Sequence, residues 1–92
     1  MHIDYDYIFV DECSYCGGPY ECDDHVRAYS KGGVFTIPCC DECNLNKYNK
    51  GLKTWLREVR DYWPEKWDEI VGHHYRRRNW LSQIVHDVQY EY

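Results

Sequence analysis

Apolar and polar positions change rhythm twice along this chain. Up to residue 12, Tyr5, Tyr7, Phe9 and Val10 supply the aromatic and β-branched positions of an extended lead-in. A strand is expected around 22–29. Ser30-Lys31-Gly32-Gly33 then reads as a turn, and Val34-Phe35-Thr36-Ile37 as the hairpin partner, ended by Pro38. From Asp41 the pattern becomes helical: Leu45, Leu52, Trp55, Leu56 and Val59 recur at three- and four-residue intervals, with an interruption at Gly51. Pro64 suits the first turn of a further helix with a buried stripe of Trp67, Ile70 and Val71 and a stop at Gly72. A last helix from about Tyr75 would bury Trp80, Leu81, Ile84, Val85 and Val88 and leave Arg76, Arg77, Arg78 and Gln83 nearer solvent. With no repeat and no linker, the expectation is one α+β domain over residues 1–92. Its core would cover about 10–60 and a helical extension about 61–92.

Length changes that picture by asking for a staple. A chain of 92 residues buries too little apolar surface to rest comfortably on a hydrophobic core alone. Six cysteines are available. The opening residues lack the basic start and apolar run of a signal peptide, so a reducing cytoplasm is expected, where thiols serve as metal ligands more readily than as disulfides. No stretch suits a bilayer, and no membrane partner is expected. Cys13-x-x-Cys16 and Cys40-x-x-Cys43 have the spacing at which a tight turn aims two sulfurs at one tetrahedral zinc. Two disulfides or buried free thiols are the plainer alternative. Cys39 could compete with Cys40, but only the interval from Cys40 to Cys43 matches the knuckle. Cys22 and Cys39 are left as small hydrophobes on neighbouring strands, near enough to oxidise in air. A four-cysteine site has no open position, so this zinc should hold the fold and leave chemistry to other residues.

The formal charge is −5, and four thiolates around one zinc would make the chain about two units more negative. Such acidity argues against tight, indiscriminate binding to nucleic acid. Positive groups do gather late in the chain, at Lys47, Lys50, Lys53, Arg57 and Arg60 and again at Arg76-Arg77-Arg78.

Between the knuckles lies Asp23-Asp24-His25, followed by Gly32-Gly33, and directly after the last cysteine comes Asn44-Leu45-Asn46-Lys47. The order Cys-x-x-Cys, Asp-His, Gly-Gly, Cys-x-x-Cys-Asn, x-x-Lys resembles the HNH (His-Me finger, ββα-metal) endonuclease superfamily, in particular its zinc-containing branch, which includes the phage enzyme endonuclease seven. The match runs from Cys13 to Gly51, about two fifths of the chain. The resemblance implies a ββα-metal, treble-clef-like core with added C-terminal helices. It also implies that Asp24 and Asn44 hold a catalytic magnesium or manganese ion beside the structural zinc. His25 would be the general base that activates water against a DNA phosphodiester, and Lys47 would meet a neighbouring phosphate. Because adjacent strand residues point to opposite faces, Asp24 and His25 would need a bulge to share one site. Small free-standing domains of this kind are carried by phages and mobile elements, which implies a bacterial host cytoplasm.

Departures from the family pattern define the rival readings. The middle Asn has no counterpart in 34–38, where Thr36 is the nearest substitute, and Asp23 is a second carboxylate beside Asp24. Lys50, Arg76, Arg77 and Arg78 are candidate phosphate contacts, although arginines at the start of a helix are commonly a solvated face. His73 and His74 lack a third partner at ligand spacing. The aromatic C-terminal helices could instead serve a protein partner or a second copy of the chain, since Trp, Tyr and Arg dominate interfaces. An HNH scaffold with weak or lost catalysis, used for binding, is therefore the alternative to an enzyme, and a plain zinc-knuckle adaptor or transcription module is a third reading.

Overall fold

The computed structural model describes residues 11–25, 36–79 and 81–91, and elements follow where the sequence changes rhythm. Two short antiparallel strands, β1 (Cys22–His25) and β2 (Thr36–Cys39), lead directly into helix α1 (Asp41–Lys47). Helices α2 (Leu52–Tyr62), α3 (Pro64–Arg76) and α4 (Ser82–Gln89) follow and pack on one another. The result is a small α+β architecture. The part of the expected hairpin that falls on 26–35, the lead-in before residue 11 and Trp80 lie outside the described residues.

Each element starts for a local reason. Cys40, extended at φ −86° and ψ 160°, caps α1 by accepting the Cys43 amide on its sulfur at 3.4 Å. Asp41 and Glu42 then place negative charge at the positive end of the helix, and Lys47 closes the last turn. The chain between α1 and α2 contains Tyr48 at φ 52° and ends in Gly51, which is where the apolar rhythm breaks. Pro64 opens α3 at its first turn as expected. Gly72, however, does not stop that helix, because α3 continues to Arg76. A glycine inside a helix costs only about 1 kcal/mol relative to alanine, less than the burial of Ile70, His73 and His74 on the same helix can offset. Tyr75 accordingly belongs to α3, and the last helix begins at Ser82.

The core joins both halves. Trp55, Leu56 and Val59 of α2, Ile70 of α3 and Val88 of α4 are fully buried, together with Ile37 of β2. Leu45 departs from its expected place in that stripe and is 76 % exposed. Trp55 is held on two sides: its indole N–H donates to Asn46 Oδ1 at 2.6 Å, and the Tyr15 ring meets it edge-on at 5.0 Å. Asn79 is buried and ties the last helix to the first knuckle. Its amide donates to the Ser14 carbonyl at 3.1 Å while its oxygen accepts from Leu81 N at 2.8 Å. Because α2 packs on both α3 and α4, the helical extension shares a core with the rest. Among the described residues no helix is long and apolar enough to cross a membrane.

Gly17 is the one position where the knuckle requires glycine. Its φ is +79°, and a Cβ there would stand 2.5 Å from Nδ1 of His73, which is itself buried. Gly17→Ala should therefore lower stability by more than about 1 kcal/mol, read as a fall of several degrees in the thermal midpoint of the zinc-loaded protein. An unchanged midpoint would mean the turn does not need the left-handed conformation.

Candidate functional site

The first knuckle is a backbone construction. Cys13 N–H donates to the Gly18 carbonyl at 2.7 Å and Gly17 N–H to the Cys13 carbonyl at 3.0 Å, folding 13–18 into a tight loop. Ser14 N–H reaches the Pro38 carbonyl at 2.9 Å, so the loop is anchored to β2, which runs into the second knuckle. Cys13, Cys16, Cys40 and Cys43 are thereby brought together with all four sulfurs within 4.8 Å of one another. Zn–S bonds of about 2.3 Å in a tetrahedron put sulfurs about 3.8 Å apart. The measured 3.6 Å between Cys16 and Cys40 sulfurs is close to that, and the donor set is consistent with a structural zinc. Hydrogen bonds from Cys16 and Cys43 pull the Cys13 thiol far below the ordinary range. The same contacts push Cys43 far up and Cys16 up to about 12. Four sulfurs at this spacing share protons among themselves, and a dication is what would displace them together.

A lysine that no sequence signal marked stands over this cluster. Lys66 of α3 donates to Cys43 Sγ at 3.3 Å and to Glu42 Oε1 at 2.8 Å, and is buried but for 9 % of its surface. Burial alone would depress its ammonium, but the Glu42 carboxylate and the Cys43 sulfur hold it above its usual value. Cys22 and Cys39 form a separate pair, directly opposed in the β1–β2 register with sulfurs 3.4 Å apart. Burial pushes both of those thiols up.

The second neighbourhood is the face of β1 that meets α1. Asp24 lies opposite Ile37, and both are buried, whereas Asp23, opposite Pro38, is exposed and accepts the Tyr20 hydroxyl at 2.8 Å. Asp24 is therefore the carboxylate turned toward α1. Its Oδ2 accepts the Tyr15 hydroxyl at 2.5 Å and lies 3.1 Å from Lys47 Nζ, which also donates to the His25 backbone carbonyl at 2.9 Å. Burial first, and the Asp24 charge second, drive the Tyr15 phenol well above its usual range, so the hydroxyl is a fixed donor. Asn44 is half-buried one turn before Lys47 on the same helix. No family model, curated protein or solved structure matches this chain.

Two expectations change here. The bulge expected at Asp24 and His25 does not occur in the described pairs, which run without a break from Cys22–Cys39 to His25–Thr36. Asp24 consequently points inward, and the His25 side chain leaves the other face of the strand. Lys47, expected to meet a phosphate, is 1 % exposed. A buried ammonium needs anionic and carbonyl partners, and Asp24 and His25 provide them. Lys50 is also committed within the chain, donating to Glu58 at 2.6 Å. Arg76, Arg77 and Arg78 are exposed at the end of α3, with Arg77 Nε 3.4 Å from Glu12 Oε1. His73 and His74, treated as poor ligands, are buried against the first knuckle. Burial, with the neighbouring His73 ring behind it, pushes His74 down to about 4. Sequence reasoning missed Tyr15 and Lys66. Only Tyr15 left a trace, as a bulky ring inside a four-residue knuckle whose side chain must go somewhere.

The zinc assignment is checked on purified protein by metal content and chelation. One zinc per chain is expected, and Lys66→Met should shed it to a chelator about tenfold faster, because a group hydrogen-bonded to a metal ligand commonly carries that much of the affinity. A chain that folds fully with its zinc removed would overturn the staple.

Proposed function

We propose that this chain is a metal-dependent endonuclease of HNH type, its ββα-metal, treble-clef-like core held by zinc and its substrate a DNA phosphodiester. The observation that supports the reading is the grip of buried Lys47 on both the Asp24 carboxylate and the His25 carbonyl, which ties the Asp-His pair to the helix that carries Asn44. Asp24 and Asn44 offer two hard oxygen donors, the kind a magnesium- or manganese-type ion prefers while keeping several waters. Among the described residues Tyr15 and Lys47 engage the Asp24 carboxylate on Oδ2, and a carboxylate has lone pairs on each oxygen, so Oδ1 is the candidate ligand atom. When bound, such an ion supplies positive charge to the phosphate oxygens and to the departing oxygen. His25 is the imidazole proposed to take the proton from the attacking water, and because the regular strand sends it to the face opposite Asp24, the scheme requires the strand end to turn before base and ion can meet. Lys47 acts in this scheme by fixing the strand end and not by touching phosphate.

A second reading, a binding protein on the same scaffold, is favoured by one surface. Tyr62 and Trp63, 74 % and 39 % exposed, line a cleft of about 450 Å³ between α1 and the α2–α3 corner together with Glu42, Glu65 and Glu69. Aromatic faces among carboxylates suit a cationic protein segment better than a nucleic acid.

Incubation with supercoiled plasmid and magnesium or manganese separates the two. Nicking is expected from the zinc-loaded protein, and His25→Ala should reduce the rate by about a hundredfold or more. Folded, zinc-loaded protein that leaves the plasmid intact would leave the binding reading in its place.

A further inference from the structure

Glu65 and Glu69 stand four residues apart on α3, so they share one helix face, and both are exposed. Several other acids on the helices have a cation within the chain: Glu42 has Lys66, Glu58 has Lys50 and Glu91 has Arg57. Among the described residues neither Glu65 nor Glu69 has such a partner, and both line the cleft that Tyr62 and Trp63 line. The two rings are set edge to face, at 66° with centroids 6.4 Å apart, and both belong to the exposed large side chains. Aromatic surface and unpaired carboxylates therefore occur together in one concave place. Lys66 lines the cleft too, but its ammonium is held by Glu42 and Cys43 and does not neutralise the other two acids. A zinc held by four thiolates beside that ammonium would carry about two negative charges of its own.

We infer, resting on the binding reading of this surface and not on the nuclease one, that the cleft takes an arginine side chain from a segment of a partner protein. Its guanidinium would lie on the Tyr62 and Trp63 rings and donate to Glu65 and Glu69. Two properties of the group decide between cations. A guanidinium is flat and weakly hydrated, so it stacks on an aromatic face at little desolvation cost, and its five N–H donors can serve two carboxylates at once. A lysine ammonium is compact and holds its water more firmly. A quaternary ammonium has no N–H and would leave both acids without donors. Nucleic acid is repelled by the same carboxylates. This chain carries exposed arginines of its own in Arg76 and Arg78, but they stand at the far end of α3 from Glu65. A second copy docking through them would join head to tail, a contact that keeps adding copies unless a ring closes. A different protein is the occupant that ends in a defined complex.

The probe is a fluorescein-labelled Gly/Ser peptide carrying several arginines, followed by anisotropy at low salt on the zinc-loaded protein, beside matched peptides with lysine or with neutral citrulline. The arginine peptide should bind about fivefold tighter than the lysine peptide, and the citrulline peptide at least about tenfold weaker. Glu69→Gln should weaken arginine binding about fivefold, whereas Asp68→Asn, which removes the same charge one residue away outside the cleft, should change it by less than about twofold. Trp63→Leu leaves the net charge alone and should weaken binding about tenfold. Should that variant lose its fold, Tyr62→Leu, at a side chain that is mostly exposed, reads the same contact. Arginine binding that survives Glu69→Gln and the ring variants, or that falls equally with Asp68→Asn, overturns the inference. Equal binding of arginine and lysine peptides, both weakened by Glu69→Gln, overturns the choice of guanidinium and leaves the cleft a cation site. If no cationic peptide binds, the binding reading falls with it. Self-association of the parent that Glu69→Gln abolishes would put a second copy in the cleft and overturn the foreign partner.

Discussion

Four sulfurs within 4.8 Å of one another, drawn from two turns separated in sequence by the whole hairpin, constrain everything else in this molecule. Closing a loop of that length by hydrophobic contact alone would set a slowly growing entropy cost against a modest core. A structural zinc contributes an apparent 10–16 kcal/mol on the order of magnitude seen in small zinc domains, which matches or exceeds the total stability of a typical domain at about 5–15 kcal/mol. A zinc bound by these sulfurs would therefore weigh as much as the core itself in holding the paired strands. Ile37 and Trp55 are fully buried in the core beside the knuckles. Lys66 fits that logic, because a four-thiolate zinc carries about two negative charges and a buried ammonium at 3.3 Å from Cys43 offsets part of them.

The ion pair between Lys47 and Asp24 answers to a different logic. Both side chains are almost wholly buried, and removing two charges from water costs several kcal/mol each before their attraction is counted. Pairs of this kind are often no more stabilising than apolar residues of the same size, so in a core this small the pair is poorly explained as a device for stability. What it does achieve is direction. Lys47 bridges a side chain on β1 and a main-chain carbonyl one residue further on, and Tyr15 adds a donor from the knuckle. Three elements thus converge on one carboxylate, which is the arrangement expected where an acid must point one way.

Local grammar was readable in advance and long-range partnership was not. The knuckle spacing, the helix beginning at Asp41, the break at Gly51 and the role of Pro64 all follow from rules spanning a few residues, and the structure has each of them. Gly72 misled because helix propensity is a weak force against a buried stripe, so α3 ran on to Arg76. Leu45 misled because its helix is short and has only one packed face, taken by Cys43 and Lys47. The inward turn of Asp24 follows from regular strand alternation, yet nothing in the sequence said that a lysine would be buried to meet it. Lys66 is the extreme case. It sits 23 residues beyond Cys43, and only its own reach from α3 to Cys43 and Glu42 on α1 gives it a purpose.

Charge places the last constraint on how such a protein would handle DNA. Much of its positive charge is already committed inside the chain: Lys47 to Asp24, Lys50 to Glu58, Arg57 to Glu91 through two hydrogen bonds, and Arg60 to Asp61 and the Val88 carbonyl. With a formal charge of −5, the molecule has little general attraction for a phosphate backbone. Each phosphate contact contributes to affinity through released counterions, so a protein with few of them holds DNA weakly and briefly. Affinity in the proposed enzyme would then have to come largely from a divalent ion, which Asp24 and Asn44 would hold and whose positive charge would attract the phosphate. In that scheme the acid proposed to hold the ion is the one already engaged by the Tyr15 hydroxyl and the Lys47 ammonium, so any ion would have to compete with a buried cation for the same carboxylate.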